Sequence, residues 1–161
     1  MLLSKKLVGM IVLISVPSMF WQASVSANVV DHYRLPNVLL KAQRAVEKGH
    51  PERALELLAG RIDSLPSPNG QAQAYALICQ AQYQQQDYAS AEKSCDIAAN
   101  TGRPRWSHFN NRGVMRFMLG RYDEALIDFR QAASIMVSAS KVQSRSIRSN
   151  VTAAKRRLAS R

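Results

Sequence analysis

The sequence contains a short pattern that occurs three times at a nearly constant spacing, and this repetition restricts the fold more than any other feature. Each copy is a turn followed by helix-forming residues, and the copies lie at positions 48–55, 85–92 and 119–126. Their alanines, Ala54, Ala91 and Ala125, are 37 and then 34 residues apart. A period of about 34 residues is typical of helix pairs that stack side by side and bury a continuous core. We therefore predict an all-α helical solenoid of three helix-turn-helix repeats.

Apolar residues at helical spacing flank each turn and predict the paired helices. The three extra residues of the first period fall in a loop rich in proline, serine and glycine, Leu65 to Gly70. Because a loop insertion leaves the period intact, we place the repeats at about 36–68, 72–104 and 106–138. The predicted helices run from Val38 to Lys48, Pro51 to Ser64, Gln73 to Gln85, Tyr88 to Asn100, Trp106 to Leu119 and Tyr122 to Ser138.

The three copies resemble the tetratricopeptide repeat (TPR) family, in which small residues allow helices to touch and aromatic residues fill the space between repeats. The third copy matches at Phe109, Gly113, the turn 120–125, Phe129 and Ala132. The second matches at Tyr75, Ile78, Cys79, Tyr88, Ala91, Cys95 and Ala98. The first matches at Val38, Ala42, Gly49, Ala54, Leu58 and Pro66. The resemblance covers about Pro36 to Ser138, most of the chain after residue 27.

The resemblance implies a protein or peptide partner, because the first helices of TPR pairs line a concave surface that accepts an extended or helical peptide. Amide side chains there can bond a peptide backbone, and aromatic ones can anchor an apolar side chain. The groove candidates are Leu39, Gln43, Val46, Ala76, Gln80, Tyr83, Gln84, Asn110, Asn111, Val114 and Phe117. The alternative for each is an ordinary core or solvent position.

Two arginines depart from the family pattern. Arg112 and Arg116 stand where the family usually has a leucine and a tyrosine. We expect local tilting to let both side chains reach solvent, since long basic side chains can extend their charge to water. If they are buried instead, they need acidic partners such as Asp96 or Asp123.

The first 27 residues have the pattern of a cleavable secretory signal. Two lysines precede an apolar run from Leu7 to Trp21, and Val25-Ser26-Ala27 is a small-residue cleavage site. The alternative is an uncleaved membrane anchor, but the run is shorter than the roughly 20 residues of a spanning helix and Pro17 interrupts it. We expect cleavage after Ala27, a short N-terminal lead at 28–35, and a periplasmic or secreted protein.

The basic charge of the chain is concentrated at its C-terminus. Without the two lysines of the signal, the 22 basic residues fall to 20 against 11 acidic ones, a formal charge of +9. Residues 141–161 contain seven basic residues and no acidic one. Apolar residues recur there at near-helical spacing, so we predict a basic helix that caps the last repeat.

A second interpretation of this helix, compatible with capping, is a docking strip for an anionic envelope polymer or a membrane surface. Its candidate residues are Lys141, Arg145, Arg148, Lys155, Arg156 and Arg157. A basic patch often indicates a nucleic-acid partner. An exported protein meets little nucleic acid, so we expect none here.

The only two cysteines, Cys79 and Cys95, lie eight residues before and eight after Asp87 in the second turn. Antiparallel helices about 8–10 Å apart place such residues level, within reach of a disulfide. An oxidising compartment favours that bond, and two reduced core cysteines are the alternative. Two thiols without a histidine at ligand spacing do not make a zinc site, so we expect no metal and no cofactor.

No group of residues in the sequence matches a catalytic motif. His32, His50 and His108 are scattered, and the sequence lacks nucleophile-elbow, zinc-protease and phosphate-binding motifs. We therefore expect a non-enzymatic scaffold that binds a protein segment in the cell envelope or in a secretion assembly. The alternative is a cationic module that docks through its C-terminal helix. Open solenoid ends also allow self-association.

Overall fold

The computed structural model describes residues 36–136 and 141–160, with the backbone alone at 141 and 142. The predicted signal peptide at 1–27, the lead at 28–35 and Arg161 lie outside these residues. The described residues form helices and no strand, which confirms the predicted all-α fold. The helices are α1 Asn37–Glu47, α2 Pro51–Leu58, α3 Pro68–Gln84, α4 Tyr88–Asn100, α5 Trp106–Met118, α6 Tyr122–Ile135 and α7 Lys141–Ala159.

The first six helices form three hairpins, α1–α2, α3–α4 and α5–α6, and each helix packs against the next along the chain. The first helices of neighbouring hairpins also touch, α1 with α3 and α3 with α5. This arrangement is a helical solenoid in which the first helices form a row, as the repeat predicts.

The three hairpins turn in the same way. Ala54, Ala91 and Ala125 are each the fourth residue of a second helix, and all three are fully buried. In each turn an amide donates to the carbonyl five residues earlier: His50 to Ala45, Asp87 to Gln82 and Arg121 to Arg116. Because the buried side chains are small, the paired helices approach closely at equivalent places.

Gly113 lies at the closest approach of α5 and α6. A Cβ atom there would be 2.7 Å from Cε1 of Phe129 and 3.1 Å from Cβ of Asp128. Such distances are shorter than van der Waals contact, so any larger side chain would push the two helices apart. The repeat pattern predicts a small residue at this position for that reason.

The end of α2 differs from the sequence prediction. The helix ends at Leu58 instead of extending to Ser64, because the chain turns at Gly60 with a φ of 65°. The Ala59 amide still donates to the Leu55 carbonyl, so the last helical turn is satisfied before the chain leaves the helix.

The start of α3 also differs, since the helix begins at Pro68 and not at Gln73. The Ser67 side chain accepts a hydrogen bond from the Gly70 amide at 3.2 Å. Proline fits the first helical position because its missing amide would have no helical partner there. Half of the predicted loop 65–70 is therefore the first turn of a helix.

The helix α7 packs its apolar side against α6. Ile147 and Ala154 are buried, and Val151 and Leu158 pack with the cluster around Phe129. It thus covers apolar surface that the last hairpin would otherwise expose, as expected of a terminal helix in a solenoid. Across the two described ranges, every helix is too short or too polar to cross a membrane.

Candidate functional site

A pocket of about 260 Å³ lies between α3 and α5, two of the first helices that form the row. We call it the α3–α5 pocket. Its lining residues are Cys79, Gln80, Tyr83, Asn111, Val114 and Met115. Four of them, Gln80, Tyr83, Asn111 and Val114, are predicted groove residues.

The lining of the α3–α5 pocket combines two amides with apolar groups. Gln80 and Asn111 each carry both hydrogen-bond donors and an acceptor. Tyr83 is 41% exposed, and its ring lies 5.9 Å from that of Tyr88. An extended peptide can therefore bond its main chain to the amides and place an apolar side chain against Tyr83 and Val114.

A disulfide joins Cys79 and Cys95, whose Cα atoms are 5.3 Å apart. Cys79 belongs to α3 and lines the pocket, whereas Cys95 belongs to α4. Both are buried together with Ala91 and Met115. The bond therefore fixes the α3–α4 hairpin directly beside the pocket.

Two predicted groove amides make other contacts. The Gln84 side chain donates to the Val46 carbonyl at 2.8 Å and so links α3 to α1. The Gln43 side chain donates to Glu47 on its own helix, also at 2.8 Å. Neither residue lines the α3–α5 pocket, although both lie on the row of first helices.

Two further predicted groove residues contact α7 or the third turn. Asn110 accepts a hydrogen bond from Asn150 of α7 at 2.9 Å. The Phe117 ring lies 5.1 Å from that of Tyr122 and packs against the apolar cluster that includes Ala154 of α7. The structure places these two residues where α7 covers the last hairpin. The apolar candidates Leu39, Val46 and Ala76 are buried in the core.

Arg112 and Arg116 are largely, although not fully, buried, which corrects the expectation that local tilting lets them reach solvent. Their side chains are 12% and 16% exposed. Arg112 bonds to Asp96 of α4 and to Asp128 of α6, both at 2.7 Å, and Arg116 bonds to Asp128 at 2.9 Å. The arginines stay largely inside because α4 and α6 present carboxylates on the side that they face, so their charges are paired within the protein.

These contacts belong to a larger inter-repeat charge network, formed by Glu92, Asp96, Arg112, Arg116, Arg121, Glu124 and Asp128. Glu92 bonds to Arg116 at 3.2 Å and to Arg121 at 2.6 Å. Burial lowers the pKa of Arg112, but the hydrogen bonds and charges of Asp128 and Asp96 outweigh this effect and raise it. Every carboxylate of the network is paired with an arginine, so the network connects α4, α5 and α6 and contains no free acid or base.

Sequence reasoning missed Asp128, the most buried member of the network at 1% exposure. A positional signal was present, because Asp128 lies three residues after Ala125 and four before Ala132. Residues at those spacings share one face of a helix. A carboxylate on that apolar face indicates a buried acid that needs a basic partner, and Arg112 and Arg116 supply it.

His108 is the buried histidine of the described residues, at 1% exposure. Neither of its ring nitrogens has a hydrogen-bond partner in the part of the chain that the structure describes. Burial lowers the pKa of His108, and the nearby charge of Arg105 lowers it further. The ring is therefore held neutral at its buried position on α5. Within the two described ranges, no three His, Cys, Asp or Glu residues are grouped as metal ligands.

The docking candidates on α7 are exposed wherever their side chains are described, at Arg145, Arg148, Lys155, Arg156 and Arg157. At about 100° per residue, the first four fall within roughly 100° of arc, beside the apolar side of the helix. We call these four the α7 basic stripe. Arg157 lies on another side, and the Lys141 side chain is outside the described residues.

The architecture is similar to a solved TPR domain. No protein-family profile and no curated protein sequence matches the chain. The first TPR domain of the human RPAP3 protein, solved by NMR, superimposes with a TM-score of 0.59 at 18% identity. The match covers 74% of this chain and 93% of that domain. The described hairpins therefore have a TPR-like fold.

Proposed function

We propose that this protein is a non-enzymatic, exported scaffold that binds a segment of a partner protein in the α3–α5 pocket. The observation that carries the proposal is the convergence of Gln80, Tyr83, Asn111 and Val114 on one pocket of about 260 Å³. TPR-like folds typically serve as non-catalytic scaffolds for protein–protein interaction. The lining matches that role, since it offers main-chain bonding groups beside an apolar anchor site.

The proposed location is the periplasm or the exterior of the cell, within an envelope or secretion assembly. The N-terminal signal pattern supports it. The Cys79–Cys95 disulfide also supports it, because such bonds persist in oxidising compartments and are rare in the cytosol.

Affinity capture from the native envelope fraction tests the pocket. We expect Tyr83→Ala and Asn111→Ala to reduce recovery of the partner captured by the parent protein, because each removes a lining side chain while leaving the helices intact. Ile97→Ala is the matched control, since Ile97 has the same 41% exposure on α4 but does not line the pocket. Circular dichroism verifies that all three variants stay folded. Equal recovery with Tyr83→Ala and Ile97→Ala would exclude the α3–α5 pocket as the binding site.

A second candidate function is docking on an anionic surface through the α7 basic stripe. The observation that favours it is the grouping of four exposed cations beside the packed side of one helix that contains no acidic residue. We expect binding to phosphatidylglycerol vesicles that weakens as salt increases, since salt screens exposed charges. Arg148→Glu with Lys155→Glu should abolish it, whereas Lys93→Glu on α4 should have little effect. Vesicle binding that persists in high salt would argue against this function.

A further inference from the structure

A second pocket, of about 380 Å³, lies on the first hairpin and shares no residue with the α3–α5 pocket. We call it the first-hairpin pocket. Its lining residues are Lys41, Arg44, Ala45, Lys48, His50, Arg53 and Leu57. The apolar floor is formed by Ala45 and Leu57, which pack with the core of the first hairpin. All the other lining residues are basic.

The repeat shows what this surface does elsewhere in the protein. Ala54 corresponds to Ala125, so each residue of the first hairpin has an equivalent 71 positions later. Lys41 thus corresponds to Arg112, and His50 corresponds to Arg121. In the third hairpin these two equivalents bond to α4 of the preceding hairpin, Arg112 to Asp96 at 2.7 Å and Arg121 to Glu92 at 2.6 Å.

The junction between the first two hairpins follows the same rule. Lys48 corresponds to Gln85, 37 positions later. The Gln85 side chain donates to Glu52 of α2 at 3.1 Å. At both junctions, therefore, this face of a hairpin receives the second helix of the preceding hairpin and bonds a carboxylate on it. The first hairpin has the same face with no preceding hairpin in the described residues.

The exposed charge of the first-hairpin pocket is largely uncompensated. Arg53 is paired with Glu56 at 2.6 Å. Lys41, Arg44 and Lys48 make no salt bridge within residues 36–136 and 141–160. Like charges held together on one surface favour an anionic partner.

The shape of the first-hairpin pocket restricts the occupant in a second way, in addition to charge. Ala45 replaces Arg116, and Leu57 replaces Asp128, so the first hairpin lacks the central ion pair that fills this space in the third hairpin. An occupant must therefore bring an apolar side chain to cover Ala45 and Leu57. Its carboxylates belong about four residues apart on one helix face, as Glu92 and Asp96 are on α4.

Two segments of this protein are unsuitable as the occupant of the first-hairpin pocket. The 35 residues before Pro36 contain one acidic residue, Asp31. The C-terminal helix of a second copy is also unsuitable, because α7 contains no acidic residue and its basic stripe would repel the pocket. The carboxylates with this spacing on α2, Glu52 and Glu56, already bond to Gln85 and Arg53. We therefore assign the occupant to another protein.

We propose that the first-hairpin pocket binds an acidic α-helix of a partner protein, with carboxylates four residues apart and an apolar residue between them. The helix packs where a preceding repeat would lie. This site is independent of the α3–α5 pocket and does not rest on the function proposed for that pocket.

A designed peptide tests the proposal. The probe is a fluorescent, hydrocarbon-stapled alanine-based helix with glutamates at positions i and i+4 and a leucine at i+3, titrated with the purified protein by anisotropy. We expect saturable binding that is about tenfold or more weaker for the peptide with both glutamates changed to glutamine, since charge complementarity is lost. Lys41→Glu with Arg44→Glu should weaken binding to a similar extent.

Matched variants locate the binding. Arg145→Glu with Arg148→Glu makes the same charge change on α7 and should leave peptide affinity within about twofold, because α7 does not contact α1 or α2 in the described part of the chain and salt screens exposed charges. Tyr83→Ala should also leave it unchanged. Absence of saturable binding, equal affinity for the glutamine peptide or for unstructured polyglutamate, or loss of binding only with the α7 variant would each overturn the proposal.

Discussion

Each hairpin turn contains one residue with a left-handed backbone, and the three are equivalent in the repeat. They are Gly49 with a φ of 72°, Gln86 with a φ of 62° and Gly120 with a φ of 75°. Glycine adopts this conformation without a steric penalty, whereas a residue with a Cβ atom pays about 1–2 kcal/mol. The turn of the second hairpin therefore carries strain that the other two avoid.

Replacing Gln86 tests whether its left-handed backbone destabilises the second turn. We expect Gln86→Gly to raise the free energy of unfolding by about 1 kcal/mol, after part of the gain is offset by the flexibility of glycine in the unfolded chain. Gly49→Ala is the matched opposite change and should lower it by a similar amount, since a Cβ atom there meets nothing within 4 Å and only the backbone is strained. Urea denaturation of both variants measures the difference. If both shift stability in the same direction, the turns are not equivalent.

His108 gives the protein a pH-dependent stability. Burial, followed by the charge of Arg105, lowers the folded-state pKa of His108 below its ordinary value of 6.5. As pH falls below 6.5, the unfolded chain gains a proton that the folded protein does not take up, so the free energy of unfolding decreases. The decrease stops once the pH is below the folded-state pKa.

We expect this decrease to be measurable by urea denaturation between about pH 7 and pH 5, a range above the ordinary pKa values of the carboxylates. His108→Leu removes the ionisable group and should flatten the profile, although it changes the packing. An unchanged slope in His108→Leu would rule out the buried imidazole as its source.

At the level of helices, the periodicity of apolar residues predicted the hairpins but not all of their ends. Ala54, Ala91 and Ala125 fix the register, because their small size is needed wherever two helices touch. The sequence did not predict the correct start of α3, because serine and proline, as at Ser67 and Pro68, occur in loops as well as at helix caps. Only the hydrogen bond from the Gly70 amide to Ser67 shows which role they have.

The sequence predicted less of the candidate site than of the hairpins. The TPR resemblance implied which side of the first helices forms the groove. Four of the residues that it implied line the α3–α5 pocket, whereas Leu39, Val46 and Ala76 lie in the core. The resemblance does not reveal that Asn150 of α7 bonds to Asn110, because that contact depends on how a segment 40 residues away in sequence returns to α5. Nor does it show that Arg112 and Arg116 are buried, since the partner Asp128 lies on a different helix.

The disulfide should stabilise the second hairpin by restricting the unfolded chain. It joins residues 16 positions apart, and closing a loop of about that size restricts the unfolded chain by about 3 kcal/mol. We expect Cys79→Ala with Cys95→Ala to lower the free energy of unfolding by about this amount, as measured by urea denaturation.

Reductant provides the control for this prediction. The parent protein, unfolded and refolded with dithiothreitol, should approach the stability of the double variant, and the variant itself should be insensitive to reductant. A parent protein whose denaturation midpoint does not change on reduction would show that the crosslink contributes nothing.

Across the described residues, the charges between α4, α5 and α6 are neutralised, whereas surfaces on the first hairpin and on α7 are basic. The inter-repeat charge network pairs its arginines with carboxylates between α4, α5 and α6. In contrast, the lining of the first-hairpin pocket contains no acidic residue, although its Arg53 pairs with Glu56, and α7 contains no acidic residue either. The protein therefore offers two chemically similar surfaces on different elements, and they differ in shape: the first has an apolar cavity and the second is a helix side.

The role of α7 as a cap is separable from any role of its basic stripe, because adjacent residues on the helix point in different directions. Ile147 is 2% exposed, whereas Arg148 is exposed. Ile147→Ala should lower the free energy of unfolding by about 3 kcal/mol, because it removes buried apolar volume. Arg148→Ala should change it by less than about 0.5 kcal/mol, as expected for a surface substitution.

Hydrogen exchange shows which helices lose stability in the Ile147→Ala variant. Amides of α6 should exchange faster in this variant while those of α1 and α2 change less, because each hairpin of a solenoid is stabilised mainly by its neighbours. A uniform increase along the chain would mean that the array unfolds as one cooperative unit. Equal effects of Ile147→Ala and Arg148→Ala on the free energy of unfolding would show that the apolar side of α7 does not stabilise the last hairpin. The α7 basic stripe would then be the part of the helix that has a function.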